Sequence, residues 1–221
     1  MKGLFITGTD TNVGKTYIAC LIAAELKSRN LNIIPRKPVE TGCEIINDEL
    51  YPADASVLLK ASQSNITLDE VCPYRYTPPI SPQLAIKRSG NSISLDDLVS
   101  TCKKNITEKD LLLVEGAGGF YSPICTDALN ADLASRLNLP VILVTEDRVG
   151  AVNQALLAIN AIEKHQLKIC AVVLNSTGPE TQNNLSDNTS EIKALTSHPV
   201  FSISHEQPIS ANFLKHLLLY L

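Results

Sequence analysis

Apolar positions along the 221-residue chain fall into two patterns. Short unbroken apolar runs, closed by charged or turn residues, predict strands buried on both faces, as in a parallel sheet. Gly3–Thr7, Leu31–Pro38, Leu111–Val114, Leu139–Thr145, Lys168–Asn175 and Pro199–Ile203 are of this kind. Between them the spacing predicts helices: from Gly14-Lys15-Thr16 to about Ser28, from Asp54 onward, near 81–88 and 94–105, from about Gly150 to Lys164, and a last one carrying Phe213 and Leu217. Ser94-Leu95-Asp96-Asp97 opens one of them with a capping pattern. Strands alternate with helices and there is no repeat or linker, so residues 1–221 are expected to form a single doubly wound α/β domain with a mostly parallel sheet. Residues 43–53 lack a hydrophobic period, 73–83 carry Pro73, Pro78, Pro79 and Pro82 and are expected to be irregular, and 176–190 read as a polar loop.

The first strand runs into a loop of small residues from Gly8 to Gly14, and Gly14-Lys15-Thr16 opens the first helix. Strand, small-residue loop and helix in that order present backbone N–H groups and a helix N-terminus to phosphate oxygens. Lys15 is placed to reach β and γ phosphates and the Thr16 hydroxyl to hold Mg²⁺, which predicts a nucleoside-triphosphate site. The first glycine, Gly8, stands one residue earlier than the usual spacing, which would put it at Thr9. Lys37 closes the second strand, at the sheet edge where ligands bind. Asp54 begins a helix, either as its N-cap or as a metal or nucleotide contact. Asp110–Val114 leads to Glu115, a carboxylate at the end of a buried strand in the place where phosphate-loop enzymes complete their Mg²⁺ site, and Gly116, Gly118 and Gly119 let backbone approach a ligand.

Composition narrows the partners. A net charge of −4, with no basic run longer than Lys103-Lys104, supplies no field for nucleic acid or an anionic membrane. Six scattered cysteines without a C-x-x-C pair, and four scattered histidines, signal neither zinc nor a redox dithiol. No run approaches the ~20 apolar residues of a membrane span and the N-terminus does not read as a signal peptide, so a cytoplasmic location is expected.

Four motifs now stand in order: GTDTNVGKT at 8–16, KPVETG at 37–42, VEGAGG at 114–119 and LPVILVTEDRVGAVNQ at 139–154. Together they closely resemble the dethiobiotin synthetase family, phosphate-loop enzymes that close the ureido ring in biotin synthesis. The resemblance implies that Asn12, Val13, Gly14, Lys15, Thr16 and Tyr17 wrap the ATP phosphates, and that Thr16, Asp54 and Glu115 hold Mg²⁺. It implies Lys37 as the catalytic lysine, with Lys15 and Thr11 beside it, and Thr41 in contact with substrate. Glu115, Gly116, Ala117 and Gly118 line the ATP site, and Asn175 reads the adenine with Ser176 beside it. Ser204, His205 and Glu206 occupy a further nucleotide-contacting turn, where many members carry Pro at the position of Ser204. The implied substrates are 7,8-diaminononanoate, CO₂ and ATP. The implied assembly is a homodimer in which the substrate carboxylate meets a helix start at Gly150 and Asn153, near Arg148. The rival on architecture is the partitioning type of ATPase, which carries a second lysine early in its loop. Asp10 stands in that position here, and a carboxylate cannot neutralise a neighbour's phosphates. Asn175-Ser176-Thr177-Gly178 is not the guanine motif of a GTPase.

Overall fold

The computed structural model describes residues 1–176, 187–204 and 207–221. In chain order its elements begin with β1 (Lys2–Gly8), α1 (Lys15–Ser28), β2 (Asn32–Arg36), β3 (Val39–Thr41), β4 (Glu44–Ile46), β5 (Glu49–Tyr51), α2 (Ala53–Ser62), α3 (Leu68–Val71) and β6 (Tyr74–Tyr76). They continue with α4 (Pro82–Arg88), α5 (Leu95–Lys103), β7 (Asp110–Gly119), α6 (Asn130–Leu137), β8 (Val141–Glu146), α7 (Ala151–Lys164), β9 (Ile169–Ser176), α8 (Asn188–Leu195), β10 (Val200–Ser204) and α9 (Ala211–Leu217). The six predicted apolar runs make one sheet in the order β10-β9-β8-β1-β7-β2, every pairing parallel. The chain leaves β7 on one side of β1 and returns as β8 on the other, and the crevice beyond the strand ends at such a reversal is where this architecture binds ligands.

Strand alternation divides the core into two layers. Leu4, Ile6, Leu111, Leu113, Ile142 and Val144 face α1 and α9, which supply Ile18, Ile22, Leu26, Phe213 and Leu217. Phe5, Leu112, Val114, Leu143 and Val172 face the other way, against Leu98 of α5, Leu133 and Leu137 of α6, and Ile159 and Ile162 of α7. Among the described residues no helix is long and apolar enough to cross a membrane.

Several local expectations are corrected. The proline-rich stretch contains β6, whose three residues pair in parallel with β3; Pro73, Pro78, Pro79 and Pro82 all lie outside the paired trio, so no ladder donor is lost. The aperiodic 43–53 holds a β4–β5 hairpin turned by Asn47 and Asp48 with φ of 52° and 64°, the left-handed pair a two-residue hairpin turn requires. Helices α3 (four residues), α6 and α8 (eight each) stand where no helix is expected from the spacing. Of the polar loop, residues 177–186 lie outside the described residues.

Candidate active site

The loop between β1 and α1 is shaped by what lies under it. Gly14 has φ +93°, and a Cβ there would stand 2.0 Å from the Asn175 amide nitrogen, so only glycine allows the loop to settle onto the end of β9. Asn175 is buried and its amide donates to the Val13 carbonyl at 3.1 Å. Gly14 is also the N-cap of α1 and offers no side-chain acceptor, which leaves first-turn N–H groups for an anion. Lys15 is buried, and its ammonium donates to the Asp10 carbonyl at 2.7 Å. Burial, reinforced by the charge of Lys37, lowers the Lys15 pKa to about 8.

A second cation sits deeper. Lys37, 4% exposed, places Nζ 2.5 Å from Glu115 Oε1 and 3.0 Å from Asp54 Oδ2. Burial alone would lower its pKa, but the two carboxylates outweigh that and hold it well above the ordinary lysine value. The Thr16 hydroxyl donates to the same Glu115 oxygen at 2.7 Å. Burial would raise Asp54, yet the charge of Lys37 and its hydrogen bond bring it below the usual carboxylate range. Glu115 Oε2 is buried with no hydrogen-bond partner, an unusual condition for a carboxylate oxygen. Next to Lys37, the buried Arg36 donates to the carbonyls of Thr101 and Lys104 at the end of α5 and so pins the end of β2.

The residues predicted from the motifs converge. Thr11, Asn12, Gly14, Lys15, Thr16, Lys37, Thr41, Asp54, Glu115, Ala117 and Gly118 line one cavity of about 340 Å³. Val13 and Gly116 are buried at its edges, Tyr17 lies in the first turn of α1 and Asn175 sits beneath the loop. Ser176 and Ser204 are paired at the ends of β9 and β10, outside that lining. Gly150 is the N-cap of α7, and it and Asn153 are exposed, also away from the cavity. His205 and Glu206 lie outside the described residues. Asp54 is not the N-cap of α2: Pro52 holds that place, and the first-turn N–H groups are taken by Glu40.

Sequence reasoning missed Glu40, which lines the cavity, and Asn130. The buried Asn130 side chain accepts from Ala117 N–H at 3.1 Å and donates to the carbonyls of Ala117 and Gly119 at 2.5 and 2.9 Å, holding the glycine-rich end of β7 in shape. Glu40 could have been suspected from its place inside KPVETG; nothing in the spacing marks Asn130.

A family described as AAA domain matches residues 2–210. The protein named ATP-dependent dethiobiotin synthetase BioD of Ruthia magnifica is 46% identical over 83% of this chain and 84% of its own length. The protein of the same name from Anaeromyxobacter dehalogenans is 35% identical over 95% of this chain and 89% of its own. The chain belongs to the dethiobiotin synthetase family. Dethiobiotin synthetases are ligases, so the chain is an enzyme of that class. A plasmid partition protein from Borrelia burgdorferi superposes with a TM-score of 0.54 at 14% identity over the whole of both chains. The apo McdA of Cyanthece gives 0.51 at 17% identity, over all of this chain and 91% of its own. Both share the fold with the dethiobiotin synthetases and no more. Asp10, where the partitioning type would carry lysine, uses its carboxylate on the Thr11 N–H at 2.7 Å.

Proposed function

We propose that this chain is an ATP-dependent dethiobiotin synthetase acting as one phosphate-loop domain. It carboxylates 7,8-diaminononanoate and closes the ureido ring with release of ADP and phosphate. The observation that carries the reading is the pair of buried ammonium groups, Lys15 and Lys37, lining one cavity with Glu115 and Asp54. An amine of the substrate adds to CO₂, forming an N–C bond and a carbamate as its proton leaves. The carbamate oxygen then attacks the γ-phosphorus of ATP and ADP departs. The second amine attacks the carbonyl carbon of the mixed anhydride, phosphate leaves, and the ring is closed. Two anionic reactants meet in the second step, so the chain's task is to hold them in line and offset their charge. Lys15 and the loop N–H groups serve the phosphates. Lys37 spends two of its three donors on Glu115 and Asp54 and keeps one for the carbamate and γ-phosphoryl oxygens.

Mg²⁺ fits the donor set. Thr16, Asp54 and Glu115 offer hard oxygen ligands, and the unpartnered Glu115 Oε2 is the kind of atom a cation would satisfy. Among the described residues no cluster of three or more acidic, His or Cys groups forms a cage, in keeping with an ion that arrives with the nucleotide and keeps phosphate and water ligands. When bound it would neutralise charge on the β and γ phosphates. Asn175 and Ser176 serve the adenine in this reading, and Thr41 the diamine.

The functional unit is read as a homodimer. Leu157 is 63% and Tyr121 48% exposed, and both line a groove of about 410 Å³ that reaches the start of the phosphate loop at Gly8, Thr9 and Asp10. A second copy covering this face would bring its α7 start, Gly150 and Asn153, toward the substrate carboxylate. Six unpaired cysteines support a reducing, cytoplasmic location. The test supplies diaminononanoate, bicarbonate, Mg²⁺ and ATP and looks for dethiobiotin by mass. Formation of that product with stoichiometric ADP is expected; ADP release that ignores the diamine would sink the reading.

A further inference from the structure

Helix α2 starts at Ala53 behind Pro52, and Pro52 has no side chain able to accept the free N–H groups of the first turn. The acceptor comes from another element. Glu40 on β3 is buried, 6% exposed; its Oε1 accepts from Asp54 N–H at 3.0 Å and its Oε2 from Ala55 N–H at 2.9 Å. Aspartate near a helix start ordinarily turns its carboxylate onto those N–H groups. With both already satisfied, the Asp54 carboxylate points elsewhere, and Oδ2 lies 3.0 Å from Lys37 Nζ. Lys37 and Glu40 are three residues apart on one segment, so the segment that supplies the cation also fixes the helix carrying its counter-charge.

We propose that Glu40 is a positioning residue: by capping α2 with both oxygens it reserves the Asp54 carboxylate for Lys37 and for the Mg²⁺ that accompanies the nucleotide. The inference rests on the metal reading given above for Thr16, Asp54 and Glu115. A carboxylate is needed because glutamine has one acceptor oxygen, and its NH₂ would face the other N–H. The role is that of an outer partner orienting a ligand, whose loss typically costs about 10–100-fold in metal affinity.

The test titrates a fluorescent ATP analogue into the full chain, in EDTA and in Mg²⁺, for the unmutated protein, D54N, E40Q and the double variant. The unmutated protein should bind more tightly in Mg²⁺, and D54N should lose that gain. E40Q should lose about 10–100-fold of the same gain with unchanged affinity in EDTA, and the double variant should be no worse than D54N, because both act through one carboxylate. Pro52→Asp in the E40Q background supplies a cap from within the chain and should restore most of the gain, which separates positioning from poor folding. E40Q with its full gain, an equal loss in EDTA, or a P52D/E40Q protein that recovers stability but not the gain would overturn the proposal. If the unmutated protein shows no gain, or D54N keeps it, the metal reading falls and this inference with it; intact controls with a silent E40Q sink the inference alone.

Discussion

Where the end of β2 meets the middle of β7, the charged groups answer one another within the chain: buried Lys37 touches buried Glu115 and half-exposed Asp54, Thr16 touches Glu115, and buried Glu40 holds the helix that carries Asp54. The start of α7 is built differently. The Arg148 guanidinium bonds to neighbours in the chain, Glu146, Gln154 and the Val149 carbonyl, while Val149 stands 87% and Leu157 63% exposed. The charged cluster of the first region draws all its members from one copy of the chain, and its chemistry should fail when a single charge is taken out. The second leaves apolar area in water, and its contribution should depend on what covers it.

The largest expected effect lies in the first region. Lys37→Ala removes a positioned charge from a water-poor site and should lower kcat by ~10²–10³, about 3–4 kcal/mol, with ATP affinity changed far less. Lys37→Gln should not rescue, since the amide keeps a hydrogen bond and lacks the charge. Near-normal dethiobiotin formation by Lys37→Ala would remove the central residue of the mechanism. A smaller effect belongs to the second region. Leu157→Glu puts a charge on the exposed α7 face and should weaken self-association by ~2 kcal/mol, about 30-fold, with activity falling as protein is diluted. Light scattering that finds a fully active monomer in the unmutated protein would erase the contrast between the regions.

The smallest effect sharpens the contrast within the site itself. Lys15, with its pKa lowered to about 8 by burial and by Lys37, loses its charge on the alkaline side, whereas Lys37 is held charged throughout by Glu115 and Asp54. ATP affinity should therefore be flat below about pH 8 and weaken by up to about tenfold per pH unit above it. For stability the sign is opposite: holding Lys15 protonated in the fold is a cost below pH 8, relieved as pH rises toward the ordinary value of 10.5. Binding titrations at several pH values check this, and Lys15→Met should show no inflection.

Much of this arrangement is legible in the amino-acid sequence. The β1, loop and α1 succession and the apolar runs of the sheet follow from local pattern, because a buried parallel strand writes its burial as consecutive apolar residues. Lys37 falls just past the end of β2, but Glu115, expected at a strand end, lies inside β7, because the glycines after it continue the ladder as far as Gly119. What stays hidden there is non-local or short. Pro52 does not announce that Glu40, from β3, will cap α2, and so Asp54 could be read equally as a cap. Asn130 binds backbone groups of residues 117 and 119, an attachment with no period. The β3 and β6 trio exists only as a pair, and neither strand has a hydrophobic rhythm of its own.

The strand order β1-β7-β2 has a consequence for how the protein comes into being. Two strands that leave the ribosome early are held apart by a slot that stays empty until nearly eighty further residues have been made, as the Ile34 to Leu112 register shows. Until then Lys37 has no Glu115 to meet, and the apolar edges of β1 and β2 stay open to wrong partners. A half-made chain therefore has a phosphate loop in sequence but no site to hold ATP, and a truncated product ending before β7 would be a target for chaperones rather than a weak enzyme.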